Sequence, residues 1–183
     1  MCNTSVPLAV FAVAAAAVGL FVQVDFVSPS GSSAPGRTVP CHEAIDMTRF
    51  PYIGSRRPEH RYRLVLGVVA VPPAYMAQVV PTGERPWSYW RKQGLVVRAS
   101  GEAVTISVPA AWRRRAAIAW GYGGNGEPFS SLRIAGCGSD KTVGRAYSGG
   151  FYLRSRSACV PLTFRVGRRT ALVRFGVGQR CNQ

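Results

Sequence analysis

Carboxylates are scarce in this sequence, and lysine is nearly missing. The 183 residues include eight Asp and Glu and two Lys, against twenty-one Arg. Glycoside hydrolysis needs two opposed carboxylates at a set separation, and seven acidic residues beyond Asp25 offer little choice of such pairs. No serine stands in G-x-S-x-G, so a nucleophile elbow is not expected. Histidine is limited to His42 and His60, and no C-x-x-C pair occurs. A zinc site of ordinary spacing is therefore not expected, nor is any other cofactor. Gly121-Tyr122-Gly123-Gly124-Asn125-Gly126 is similar in composition to a phosphate loop, but no Gly-Lys-Ser/Thr appears and no helix-forming segment follows it. It reads as a turn-rich hairpin connection.

What is abundant is positive charge. The formal balance is +15, almost all of it guanidinium. Part of that bias is the arginine-for-lysine style of a GC-rich coding sequence. The excess still sets up a field that attracts anionic polymers or membrane surfaces.

Apolar residues run from Val6 to Val24, broken only by Pro7 and Gln23. As a helix this run is about 28 Å long, close to the ~30 Å hydrocarbon thickness of a bilayer. Residues 1–27 read as an N-terminal membrane anchor or signal peptide. The anchor is favoured, because cutting after Ala14-Ala15-Ala16 leaves Gly19-Leu20-Phe21-Val22 on the mature end. No Lys or Arg precedes the run, so the positive-inside rule does not favour an exported C-terminus. The cysteines decide for export. Residues 28–40 (SPSGSSAPGRTVP) are a Ser/Pro/Gly linker, and 41–183 form the extracytoplasmic domain.

Cys2 precedes the apolar run, which leaves Cys41, Cys137, Cys159 and Cys181. Four cysteines behind an export-like segment imply two disulfides, with three connectivities open. Cys159–Cys181 is favoured because the two stand at the open end of one hairpin, and Cys41–Cys137 follows by default. Closing the shorter loop contributes about 3 kcal/mol by loop-entropy arithmetic.

That hairpin is the clearest structural signal. Val160, Leu162, Phe164 and Val166 alternate with Pro161, Thr163 and Arg165, and after Gly167 so do Ala171, Val173, Phe175 and Val177. A turn centred on Arg168-Arg169 sets Val166 opposite Ala171. A type II′ turn on Gly167-Arg168 shifts the pairing by two and keeps the same faces together. Upstream, Arg61–Val71 reads as one long strand and 94–109 as a second hairpin turning at Ser100-Gly101. Trp112-Arg113-Arg114-Arg115 is a basic corner, and Ala116, Ile118 and Trp120 form a further strand face. About eight to ten short strands result, with no helix after the N-terminal one. The expected fold is all-β, an antiparallel two-sheet sandwich preceded by one hydrophobic helix.

From Cys41 onward the chain resembles a group of uncharacterised exported proteins of high-GC Gram-positive bacteria. The residues carrying the likeness include Trp90-Arg91-Lys92-Gln93-Gly94-Leu95, Ala119-Trp120-Gly121 and Arg133-Ile134-Ala135-Gly136-Cys137. Ser148-Gly149-Gly150-Phe151-Tyr152, Cys159-Val160-Pro161-Leu162 and Phe175-Gly176-Val177-Gly178 complete it. The resemblance supports export and fold, and brings no activity with it.

Three functions are weighed. In the first, a non-catalytic envelope module holds anionic polymers through Arg154, Arg165, Arg168, Arg169 and Arg174 on the outer side of the closing strands, with Trp87 and Tyr89 as exposed ring contacts. In the second, an exported hydrolase works through His42 and Glu43, with Asp46 close by in sequence and Glu59-His60 as a second pair. In the third, nucleic acid stacks on Trp87 or Trp90 beside Arg91 and Lys92. At strand spacing Trp87 and Tyr89 share a face and Trp90 takes the other, so one of the two faces is core. The first function is the one expected.

Overall fold

The computed structural model describes residues 36–121 and 127–182. The N-terminal hydrophobic helix expected in 1–27, most of the linker, and Tyr122–Gly126 of the glycine-rich loop lie outside them. No helix among the described residues is long and apolar enough to cross a membrane.

The described residues form fifteen strands and three short 3-10 turns, with no α-helix. Three sheets, rather than the expected two, share them. The first contains β1 (Arg37–Val39), β5 (Tyr75–Met76), β9 (Val104–Ser107), β11 (Ser131–Ile134), β14 (Ala158–Val166) and β15 (Arg169–Val177), in the order β1-β11-β9-β14-β15-β5. The second runs β10-β13-β7-β6, from β6 (Val80–Pro81), β7 (Tyr89–Lys92), β10 (Ala116–Trp120) and β13 (Gly149–Leu153). The third runs β2-β12-β8-β4-β3, from β2 (Asp46–Arg49), β3 (Arg63–Val65), β4 (Val69–Val71), β8 (Leu95–Arg98) and β12 (Val143–Tyr147). Pairing is antiparallel except for β1 with β11 and β15 with β5. All three sheets contribute to one apolar core: Ile106, Leu162 and Phe164 from the first, Ile118 and Phe151 from the second, Leu95 and Val97 from the third.

The closing hairpin forms as the alternation requires, and of the two registers the one with the two-residue turn is adopted. Val166 pairs with Arg169, and Phe164, Leu162 and Val160 pair with Ala171, Val173 and Phe175. Gly167 takes φ +55°, while Arg168 stays out of the left-handed region, as a type II′ turn demands. The register centred on Arg168-Arg169 does not occur. Both expected disulfides are present, Cys41–Cys137 and Cys159–Cys181.

Two segments depart from expectation. The run 61–71 is not one strand: it folds back at Leu66-Gly67, both with positive φ, so that β3 and β4 pair with each other. The segment 94–109 is not a hairpin. β8 is buried at Leu95, Val96 and Val97, which suits a strand flanked on both sides, and it pairs with β4 and β12. The turn at Ser100-Gly101 then carries the chain into another sheet, where β9 pairs with β11 and β14. The segment read as linker also contributes structure, since Val39 of β1 is fully buried in the core.

Candidate anion-binding site

Three connections converge at the end of the molecule closed by Cys159–Cys181. The first is the 3-10 turn Ala110–Trp112 with Arg113-Arg114-Arg115, which leads from β9 into β10. The second is Arg154 to Ser157, which leads from β13 into β14. The third is the tail after β15, which the disulfide draws back against β14. The Arg154 backbone N–H donates to the Arg115 carbonyl at 3.2 Å, joining the first two. The Ser157 hydroxyl donates to Gln179 Oε1 at 3.0 Å, joining the second to the third.

Two clefts lie there and share Trp112, Cys159 and Gln179 as a common wall. One, of about 490 Å³, takes Arg114, Arg115 and Arg154; the other, of about 620 Å³, takes Arg174 and Arg180. No described residue lining either cleft carries a carboxylate side chain. The Arg115 guanidinium lies 5.4 Å above the Trp112 ring, a contact that holds the cation while leaving its N–H edge for an anion. Arg180 lies 4.8 Å over Tyr75 in the same manner.

Arg180 also borders a third cleft, of about 510 Å³, lined by His60, Tyr62, Gln78, Arg91 and Gln93 among others. Its polar groups are interlocked. Arg91 donates to the Gln78 carbonyl at 3.0 Å and to Gln93 Oε1 at 3.3 Å. The Gln93 amide donates to the Tyr62 hydroxyl at 2.7 Å, and that hydroxyl donates to the Gly94 carbonyl at 2.9 Å. Burial raises the Tyr62 phenol above its ordinary value, against the opposing pull of the Gln93 hydrogen bond. Burial also lowers the Arg91 guanidinium.

The five arginines singled out in the sequence do not form one stripe. Arg154 and Arg174 reach the disulfide end. Arg165 lies four residues further along β14 than Pro161, the partner of Arg174, or about 13 Å away at strand rise. It sits on the outer sheet face in a row with Thr105 and Arg133. Arg168 is exposed at the turn. Arg169 is exposed and donates to the Leu66 carbonyl at 2.9 Å, with Glu102 at 3.7 Å. Trp87 is buried at 7% exposure with the Arg154 guanidinium 5.5 Å over its ring, and Tyr89 packs half-buried on the core. Tyr89 meets the expectation that one face of this patch is core, but Trp87 does not share that face, since it lines the same cleft as Trp90.

The residues considered for hydrolysis are placed as follows. His42 is exposed on the 3-10 turn Cys41–Glu43. Glu43 accepts a hydrogen bond from the Arg37 guanidinium, and its second oxygen is buried with no hydrogen-bond partner among the described residues. Asp46 is exposed on β2 and accepts from the Met47 backbone N–H. His60 lines the third cleft, whose lining includes neither His42 nor Glu43. Among the described residues no group of His, Cys, Asp or Glu could hold a metal ion.

Sequence reasoning missed Trp112, Arg114, Arg115 and Arg180 as members of one site. The Trp112-Arg113-Arg114-Arg115 run was visible as a basic corner, and only the path of the tail links it to Arg174. In comparisons with known proteins, no family model, no curated protein and no solved structure matches this chain.

Proposed function

We propose that this chain is a non-catalytic, extracytoplasmic binding module of the cell envelope that holds anionic polymers at the disulfide-closed end. The observation carrying the reading is the pair of clefts joined at Trp112, with five arginines and no side-chain carboxylate among the described residues along their walls. Guanidinium groups pair bidentately with phosphate and carboxylate, and clefts on either side of one wall suit a chain that carries charge at intervals. The two disulfides suit an oxidising compartment, and residues 1–27 supply the proposed anchor or export signal.

The test must separate a dedicated site from general surface charge. In one variant Arg114, Arg115, Arg174 and Arg180 become Gln. In a control of equal charge Arg56, Arg133, Arg165 and Arg168 become Gln, all of them exposed elsewhere. Binding to polyphosphate and to a teichoic-acid-like polymer is measured against salt. The first variant loses most of the affinity, and its salt slope falls by about 3, roughly 0.7 for each phosphate contact removed. Equal losses in the two variants would show that only net charge matters.

A further inference from the structure

An aromatic pair on the second sheet stands in a different chemical setting from the anion site. Trp90 of β7 and Tyr152 of β13 face each other across the ladder, with ring centroids 4.3 Å apart and planes 37° from parallel. Their chain neighbours Tyr89 and Leu153 point into the core, so these two rings stand on the outer face of the second sheet, both half-buried. Val80 of the edge strand β6 pairs with Trp90 and continues the apolar row, 54% exposed. A cleft of about 440 Å³ opens over this row, rimmed by Glu84, Arg85 and Glu127. The turn bearing Glu84 is held in place: Thr82 donates its hydroxyl to the Trp87 carbonyl at 2.6 Å and accepts the Glu84 backbone N–H at 3.1 Å. Glu84 lies near enough to Tyr152 to add to the burial that raises its phenol.

Two of the eight acidic residues of a +15 chain thus rim one aromatic cleft. A polyanion would meet both carboxylates, and a quaternary ammonium would meet Arg85. A neutral polyhydroxylated ring uses every group present: its C–H face lies on the indole and phenol rings, and its hydroxyls donate to the carboxylates and accept from the guanidinium. We propose that this cleft is a second binding site, for an uncharged saccharide unit. It is independent of the anion site, sharing none of that site's arginines.

The test uses the full chain, oxidised, in a polyoxyethylene detergent, which carries neither sugar nor quaternary ammonium. Chitotetraose, cellotetraose and mannotetraose are titrated by tryptophan fluorescence and calorimetry, with tetramethylammonium and polyphosphate alongside. At least one glycan binds, with little dependence on salt. Its affinity drops about tenfold in Trp90→Ala and in Tyr152→Ala, and less in Trp90→Phe. It also drops in Glu84→Gln/Glu127→Gln, which leaves the rings untouched and guards against a folding artefact. The arginine-to-glutamine variant of the anion site keeps its glycan affinity, so failure of either site is read separately. Binding of tetramethylammonium in place of every glycan would overturn the proposal. So would no glycan binding at millimolar concentration, or glycan binding that all these variants retain.

Discussion

Removing the two disulfides one at a time should separate stability from binding. Cys41 and Cys137 are 96 residues apart, Cys159 and Cys181 only 22. Loop-entropy arithmetic gives about 4.7 kcal/mol for the first and about 3.4 kcal/mol for the second, so Cys41→Ser/Cys137→Ser is the more destabilised variant by about 1.3 kcal/mol. With a urea dependence of about 2 kcal/mol per molar, the unfolding midpoints differ by roughly 0.7 M. Binding follows the reverse order. Cys159 lies on both anion clefts, and its partner draws Gln179 and Arg180 back to them. The nine rungs between β14 and β15 remain when this bond is lost, so the fold persists while the tail beyond Val177 loosens. Cys159→Ser/Cys181→Ser is therefore expected to stay folded in low urea and to bind polyphosphate about tenfold more weakly. Cys41→Ser/Cys137→Ser keeps the affinity of the intact protein while it is folded. Equal midpoints would refute the loop argument, and unchanged affinity in Cys159→Ser/Cys181→Ser would refute the role given to the tail.

Phe164 is fully buried, and Phe164→Ala should destabilise by about 3–5 kcal/mol in urea unfolding. A Cβ at Gly150 would stand 1.9 Å from the Arg91 carbonyl oxygen in the adjoining strand, so Gly150→Ala should cost at least about 3 kcal/mol. Its unfolding midpoint, compared with that of Gly36→Ala, whose Cβ meets only ordinary contacts from 3.5 Å outward, checks this. The phenols of Tyr62, Tyr147 and Tyr152 are raised, chiefly by burial. A raised acid stays protonated in the native state, so the stability it contributes is complete below pH ~10 and is lost as pH climbs through the native values. Ultraviolet titration of phenolate should show these three rings ionising late, together with alkaline unfolding.

The sequence made the closing hairpin legible because nine-residue strands display their period, and because a one-residue slip would expose Leu162 and Phe164. It left the register open, since Gly167 can serve a turn of either length. It could not show strands as short as β5 and β6, where two residues carry no period. Val68 to Val71 are all buried, which hid the reversal at Leu66-Gly67 inside what looked like one apolar run. Ser100-Gly101 is an ordinary turn signal, and alternation on both sides of it says nothing about whether two strands pair or part. That choice belongs to β8, which needs neighbours on both edges and finds them in β4 and β12. The candidate site was illegible for a related reason: its walls come from segments around residues 112, 154, 174 and 180, and no local pattern joins them.

The two proposed sites meet at one side chain. The Trp87 indole lies under the Arg154 guanidinium and also forms part of the wall of the cleft over Trp90 and Tyr152. A polymer that alternates neutral sugar with phosphate can therefore set a phosphate at Arg154 while the adjoining sugar lies on the rings. Linked in that way, the second contact forms at high effective concentration, and the affinity for such a copolymer should exceed that for a phosphate-only or sugar-only chain of equal length by about a hundredfold or more. Surface plasmon resonance with the three polymers measures this directly. Arg154→Gln should remove most of the copolymer's advantage over the stronger single-component chain, because the contact next to the rings is lost while Arg114, Arg115, Arg174 and Arg180 remain. Trp90→Ala should bring the copolymer down to the affinity of the phosphate chain. If the copolymer binds no better than its stronger component, the two clefts are not spanned by one ligand, and the shared indole only divides them.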